Sequence, residues 1–144
     1  MRRVEASALI PAAADQLFAF VADPANLPHW QAGIVSAHVT SAGDIGTGST
    51  ARVVRELMGQ RLTVDLALTD YQPDRRLELT STVSGIRATA SLDLEPAADG
   101  TTLTFAMELR ATTPFMAPLE SMVAGAAQHD LEASLERLRA RFAR

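Results

Sequence analysis

The sequence predicts an α+β fold in which a seven-stranded antiparallel sheet covers one long C-terminal helix. Three observations carry this. From Ile34 to Ala111 apolar and polar residues alternate with a period of two; from Pro114 to Phe142 the period lengthens to that of a helix; and Arg3–Ile10 supplies one more alternating segment before two short helical stretches.

In order, Val4, Ala6, Ala8 and Ile10 share one side of the first segment, with Arg3, Glu5 and Ser7 on the other, and Pro11 ends it. Residues 12–22 place Leu17, Phe18 and Val21 on one helical stripe. Asp23-Pro24 is a good N-cap and first-turn pair, so a second short helix is expected over about 24–31, with Pro28 limiting its regularity. Strands are then expected near 34–41, 49–57, 61–71, 76–83, 86–95 and 102–111. Turn chemistry separates them at Gly43–Gly48, Met58-Gly59, Gln72-Pro73-Asp74, Ser84-Gly85 and Ala98-Asp99-Gly100. A two-residue turn at Ser84-Gly85 sets Val83 opposite Ile86, Ser81 opposite Ala88 and Leu79 opposite Ala90. Every inward face then meets an inward face, and a one-residue slip would ruin that match. In the tail, Leu131, Leu135, Leu138 and Phe142 form one helical face, which must cover the apolar side of the sheet.

Composition bounds the function. The 144 residues suit one domain, residues 1–144, able to bury its own core, and no linker or repeat divides them. There is no cysteine, which excludes disulfides, thiolate metal sites and cysteine nucleophiles. A net charge of −4 without a basic stripe argues against nucleic acid and anionic membrane surfaces. No apolar run suits a membrane helix, and residues 1–14 lack the apolar core of a secretion signal, so a cytoplasmic protein is expected. All thirteen basic residues are arginine, which reads as composition bias.

Several phrases resemble the START-like superfamily, also called the polyketide cyclase/dehydrase and lipid transport (SRPBCC) family. They are Ile10-Pro11 before Leu17-Phe18-Ala19-Phe20-Val21; Asp23-Pro24-Ala25-Asn26-Leu27-Pro28-His29-Trp30; Gly46-Thr47-Gly48; Met58-Gly59; Tyr71-Gln72-Pro73 before Arg76-Leu77; and Gly100-Thr101-Thr102-Leu103. The resemblance covers essentially the whole chain and is specific for fold, weak for function. It implies a helix-grip architecture, a curved sheet wrapped around the C-terminal helix with an internal apolar cavity. Carriers of lipids and hormones, aromatases, cyclases and partner-binding proteins share it, so the fold does not fix the function.

The residues point to a cavity on their own terms. Traced backwards at 100° per residue, the Leu131 stripe meets Ala127, Ala124, Glu120 and Ala117, so large side chains give way to small ones. On the sheet, Leu68, Leu77, Leu92 and Phe105 make a bulky layer, whereas Ser81, Ala88 and Ala90 are small. Small facing small leaves space, unless the early helices or Trp30 fill it. The expected lining is Val64, Ser81, Ala88, Ala90, Met107, Ala124 and Ala127, with Trp30 either in the core or at the pocket mouth. Met58, Met107, Met116 and Met122 offer adaptable apolar surface, Met107 as core by default and Met122 pointing outward.

The polar candidates are few. Arg55 faces inward if a two-residue turn falls at Met58-Gly59 or at Gly59-Gln60; a three-residue loop turns Arg52 and Glu56 inward and Arg55 outward instead. Glu120 falls within about 20° of the Leu131 stripe, so an Arg55–Glu120 ion pair on the wall is expected to orient the polar end of a ligand, unless Glu120 is simply a solvated first-turn acid. Tyr71 and, less favoured, His29 complete the catalytic candidates, with Glu120 and Arg55. His38 lies on a strand, and His129-Asp130 is read as a solvated outer face. No metal-ligand spacing, phosphate loop or nucleophile elbow is present, so no metal and no cofactor is expected; Gly43–Gly48 precedes a strand and is a plain loop. The favoured function is binding of a small hydrophobic ligand (lipid-, polyketide- or aromatic-like) by a monomer or homodimer. The alternatives are a polyketide cyclase, aromatase or dehydratase using the same cavity, and a partner-binding domain, for which Met116 and Met122 are the only hints.

Overall fold

The computed structural model describes residues 1–57, 59–83 and 85–143. Seven strands form one antiparallel sheet: β1 (Arg2–Ile10), β2 (Ile34–Val39), β3 (Thr50–Leu57), β4 (Gln60–Gln72), β5 (Arg76–Val83), β6 (Ile86–Ala97) and β7 (Gly100–Ala111). Their spatial order is β1-β7-β6-β5-β4-β3-β2, a meander with the first strand folded back beside the last. Between β1 and β2 lie α1 (Ala14–Val21), a 3-10 turn (Pro24–Asn26) and α2 (Leu27–Trp30). A second 3-10 turn (Pro114–Met116) leads into α3 (Ala117–Phe142), 26 residues long. This is the helix-grip arrangement that the family resemblance implies. Among the described residues, no helix is long and apolar enough to cross a membrane.

The expected β5–β6 register is the observed one: Val83 pairs with Ile86, Ser81 with Ala88 and Leu79 with Ala90. Alternation therefore fixes which side chains turn toward α3. A bulge between Leu68 and Asp70 shifts the inward set from even to odd numbers. Tyr71 then points inward and stacks edge-on against Phe18 at 5.2 Å. Between α1 and β2 the chain departs from one regular helix. Asp23 caps the 3-10 turn by accepting from the Ala25 amide at 3.0 Å, and α2 starts again at Leu27. Pro28 sits in the first turn of α2, where its missing N–H loses nothing. At the β6–β7 turn only glycine fits position 100: its φ is +148°, and a Cβ would collide with the Ile10 carbonyl.

The core fills the half of the molecule under the C-terminal part of α3. Leu131, Leu135 and Leu138 are buried there, as are Leu17, Phe18, Leu68, Leu77, Leu92 and Phe105. One polar side chain joins them. Ser134 is fully buried, accepts from the Ala32 amide at 2.8 Å and donates to the Asp130 carbonyl at 2.6 Å. That bond ties the α2–β2 connection to the middle of α3, satisfying an amide that burial would otherwise orphan.

Candidate functional site

Toward the N-terminal half of α3 the packing opens. The β3–β4 hairpin pairs Leu57 with Gln60 and Arg55 with Leu62, the register of the shorter turn. Arg55 therefore shares the inner face with Val53, Leu62 and Val64. Arg52 and Glu56 face outward, where they meet Asp65 at 2.9 Å and Arg61 at 3.1 Å. Met58 and Ser84, read as the first residues of two turns, lie outside the described residues.

The inner face of β3–β7 and the first turns of α3 enclose a cavity of about 230 Å³. Its floor is made of small side chains, Ser81, Ala88 and Ala90, on the central strands, with Val64 and Met107 beside them. α3 contributes Leu119, Val123 and Ala127. One end is closed by Gln31 and Ile34 from the α2–β2 connection, next to Arg55. Three of the expected wall residues lie elsewhere. Ala124 is buried but off the wall, Trp30 is packed in the core with its ring 5.7 Å from Phe105, and Glu120 is turned away. The indole N–H of Trp30 finds no acceptor among the described residues.

Glu120 is the main correction. One of its carboxylate oxygens accepts from the Ala111 amide at 2.8 Å, and the other meets the Met1 amino group at 3.0 Å. The amide first, then the amine, hold its carboxyl below the ordinary glutamate range. The physical reason is where α3 lies. It rests against β1 and β7. The face carrying Glu120 and Ala124 therefore meets that edge, and the neighbouring face of Leu119 and Val123 looks into the cavity. The 3-10 turn at Pro114–Met116 and Pro118 at the start of α3 set this phase. Tyr71 stands in the packed half, off the cavity wall, and His29 is exposed.

Arg55 takes a different partner from the one expected. Its guanidinium stands 4.0 Å from Asp130, with side-chain exposures of 15% and 25%. Asp130 is thus not the solvated outer residue that helical counting made it. Burial pushes its carboxyl above the ordinary aspartate value, while Arg55, His129 and Arg137 pull it down. Burial likewise lowers Arg55, with Asp130 opposing. The Asp130 carboxylate reaches its place over Gly33, where φ is +92° and a Cβ would stand 3.1 Å from the carboxylate. Only a residue without a side chain gives that close approach at no steric cost. Sequence reasoning missed Asp130, Gln31 and Ser134. Each is polar, flanks an apolar core residue and leaves no periodic signal. Among the described residues, no three metal-ligating side chains converge.

The comparisons with known proteins bear on this geometry. The family model described as polyketide cyclase / dehydrase and lipid transport matches residues 1–143. The chain belongs to that family. Solved structures agree on the fold of this member of the family. It is similar to TTHA0849 from Thermus thermophilus, with a TM-score of 0.80 at 21% identity over 98% of this chain and 97% of that one. A START superfamily protein from Mycobacterium smegmatis gives 0.80 at 19% identity, covering 97% and 96%. Ara h 8.0201 gives 0.76 at 16% identity, covering 98% and 97%. At such identities the likeness is one of fold alone. No curated protein matches the chain significantly.

Proposed function

We propose that the protein binds a small, largely apolar molecule (lipid-, polyketide- or aromatic-like) in the cavity between α3 and the sheet, without transforming it. The observation that supports this reading is the wall itself. Ser81, Ala88, Ala90 and Ala127 leave space where the other half of the interface is filled, and apolar side chains make up most of the remainder. An acid catalyst needs a proton to give near neutral pH. Glu120 has the opposite tendency and points elsewhere, and Tyr71 and His29 stand off the wall. A cyclase-, aromatase- or dehydratase-type reading would rest on Asp130, the one acid near this end whose carboxyl is pushed up. As a binding protein it is expected to act in the cytoplasm, as a monomer or homodimer of the 1–144 domain, needing no metal, cofactor or nucleic acid.

Native mass spectrometry of protein purified from its own host tests the reading. A retained small molecule, released on collisional activation and lost in an Ala88→Phe variant, is the expected result. A wild-type spectrum of bare protein, together with no uptake of added apolar probes, would overturn it.

A further inference from the structure

From the polar groups of this cavity we infer the ligand's chemical class: an amphipathic anion with a single carboxylate head seated against Arg55 and Gln31 and an apolar tail over Ser81, Ala88 and Ala90. The inference rests on the binding reading above and makes it specific.

Two independent observations converge on one end of the cavity. The first is Arg55, the only charged side chain on the wall among the described residues. An arginine stays protonated, and among the described residues its guanidinium donates no hydrogen bond; Asp130, at 4.0 Å, is an ion-pair neighbour too distant to accept one. Five donors in a fixed fork therefore border an apolar space, open to an acceptor that matches the fork. The second is Gln31, 7% exposed and on the wall, whose side-chain amide offers both a donor and an acceptor beside Arg55. The fold places the two side by side. Ile34 pairs with Arg55, and the Gly33 carbonyl accepts from the Glu56 amide at 2.7 Å, so residues 31–34 run along the end of β3 that carries Arg55.

A carboxylate suits this pair. Its two oxygens match the guanidinium fork, and a spare lone pair can take the Gln31 amide N–H. A cationic head would face Arg55 with no compensating acid on the wall. A dianionic head would add a second charge where Asp130 already offsets part of the positive potential. The volume limits the tail. At about 30 Å³ per water-sized group, the space of about 230 Å³ takes roughly eight such groups. That corresponds to a medium-chain or single-ring carboxylic acid.

Octanoate, 1-octanol and octylammonium share one tail and differ in the head, so calorimetric titration of the three separates the claims. Octanoate is expected to bind at least about tenfold more tightly than octanol, and octylammonium not at all. Arg55→Met should remove that tenfold preference, octanoate then binding no more tightly than octanol. Asp130→Asn, which removes the competing carboxylate and keeps Arg55, should tighten octanoate severalfold and leave octanol alone. It tests the proposal even if Arg55→Met fails to fold. Octanol binding as tightly as octanoate, or octanoate unaffected by both substitutions, would overturn the carboxylate assignment and leave the binding reading standing. Uptake of none of the three by the wild-type protein would overturn both.

Discussion

The two halves of α3 meet the same sheet in opposite ways. The C-terminal half is fixed by volume: Leu131, Leu135 and Leu138 are buried against a bulky layer that includes Leu68, Leu77, Leu92 and Phe105. The N-terminal half is fixed by polar ties along one edge. Arg2 donates to Ser121 at 2.7 Å, Glu120 holds the Ala111 amide and the Met1 amine, and Gln128 donates to the Glu5 carbonyl at 3.3 Å. Toward β3–β5 that same half faces the cavity. Anchoring a helix by its edge and its far half lets the rest stand off the sheet, so an open volume and a stable fold coexist. The difference teaches that the space comes from side-chain size on the central strands and from where the helix is tied, with no gap in the backbone architecture.

The largest expected effect breaks the packed half. Leu138→Ala should cost about 2–5 kcal/mol, because the side chain is fully buried and its neighbours cannot collapse into the void. Val123→Ala, only partly buried on the cavity wall, should cost about 1 kcal/mol or less. Denaturant titration of both variants checks the contrast. Equal losses would mean that the two halves are packed alike.

A second pair of substitutions sharpens the comparison by adding volume. Ala124 is buried off the cavity wall, and Ala88 is half-buried on it. Ala124→Phe should destabilise by about 1–3 kcal/mol through overpacking. Ala88→Phe should change stability by less than about 1 kcal/mol, in either direction, because it enters existing space. It should also abolish octanol uptake in the same calorimetric titration. If Ala88→Phe costs as much as Ala124→Phe, the volume is not available to a ligand.

The same contrast explains what the sequence disclosed. The β5–β6 pairing was legible to the residue, because a period of two and a short turn leave one register that buries every inward face, as at Ser81–Ala88; the bulge between Leu68 and Asp70 was not. The packed half of α3 was legible because Leu131, Leu135 and Leu138 are large and regularly spaced. The open half was misphased by about one residue. In an alanine-rich stretch, Ala124 and Ala127 mark a face as weakly as its neighbour, and the proline-bounded entry sets the angle. Leu119 and Val123, the branched residues at i and i+4 ahead of Ala127, were the better signal. The Arg55 register was readable up to one ambiguity of turn length. Its pairing with Asp130 was not, because that contact depends on Gly33 letting a carboxylate approach from a helix nearly a hundred residues away.

The smallest expected effect concerns the polar edge, and it is distinguished by pH. Glu120 has its folded pKa held below the ordinary value of about 4.5, first by the Ala111 amide and then by the Met1 amine. A carboxyl depressed in the folded state contributes stability above its unfolded pKa, and loses it as pH falls through the folded value. Glu120→Gln should therefore be less stable than the wild-type protein near pH 7, and the two should converge from about pH 4.5 downward. Salt should shrink the part of the difference that comes from the amine and spare the part that comes from the amide hydrogen bond. Thermal melts at pH 7 and pH 3, each at low and high ionic strength, measure all of this. A difference that persists unchanged at pH 3 would assign Glu120 a packing role, and the first half of α3 would then be held by shape, like the second.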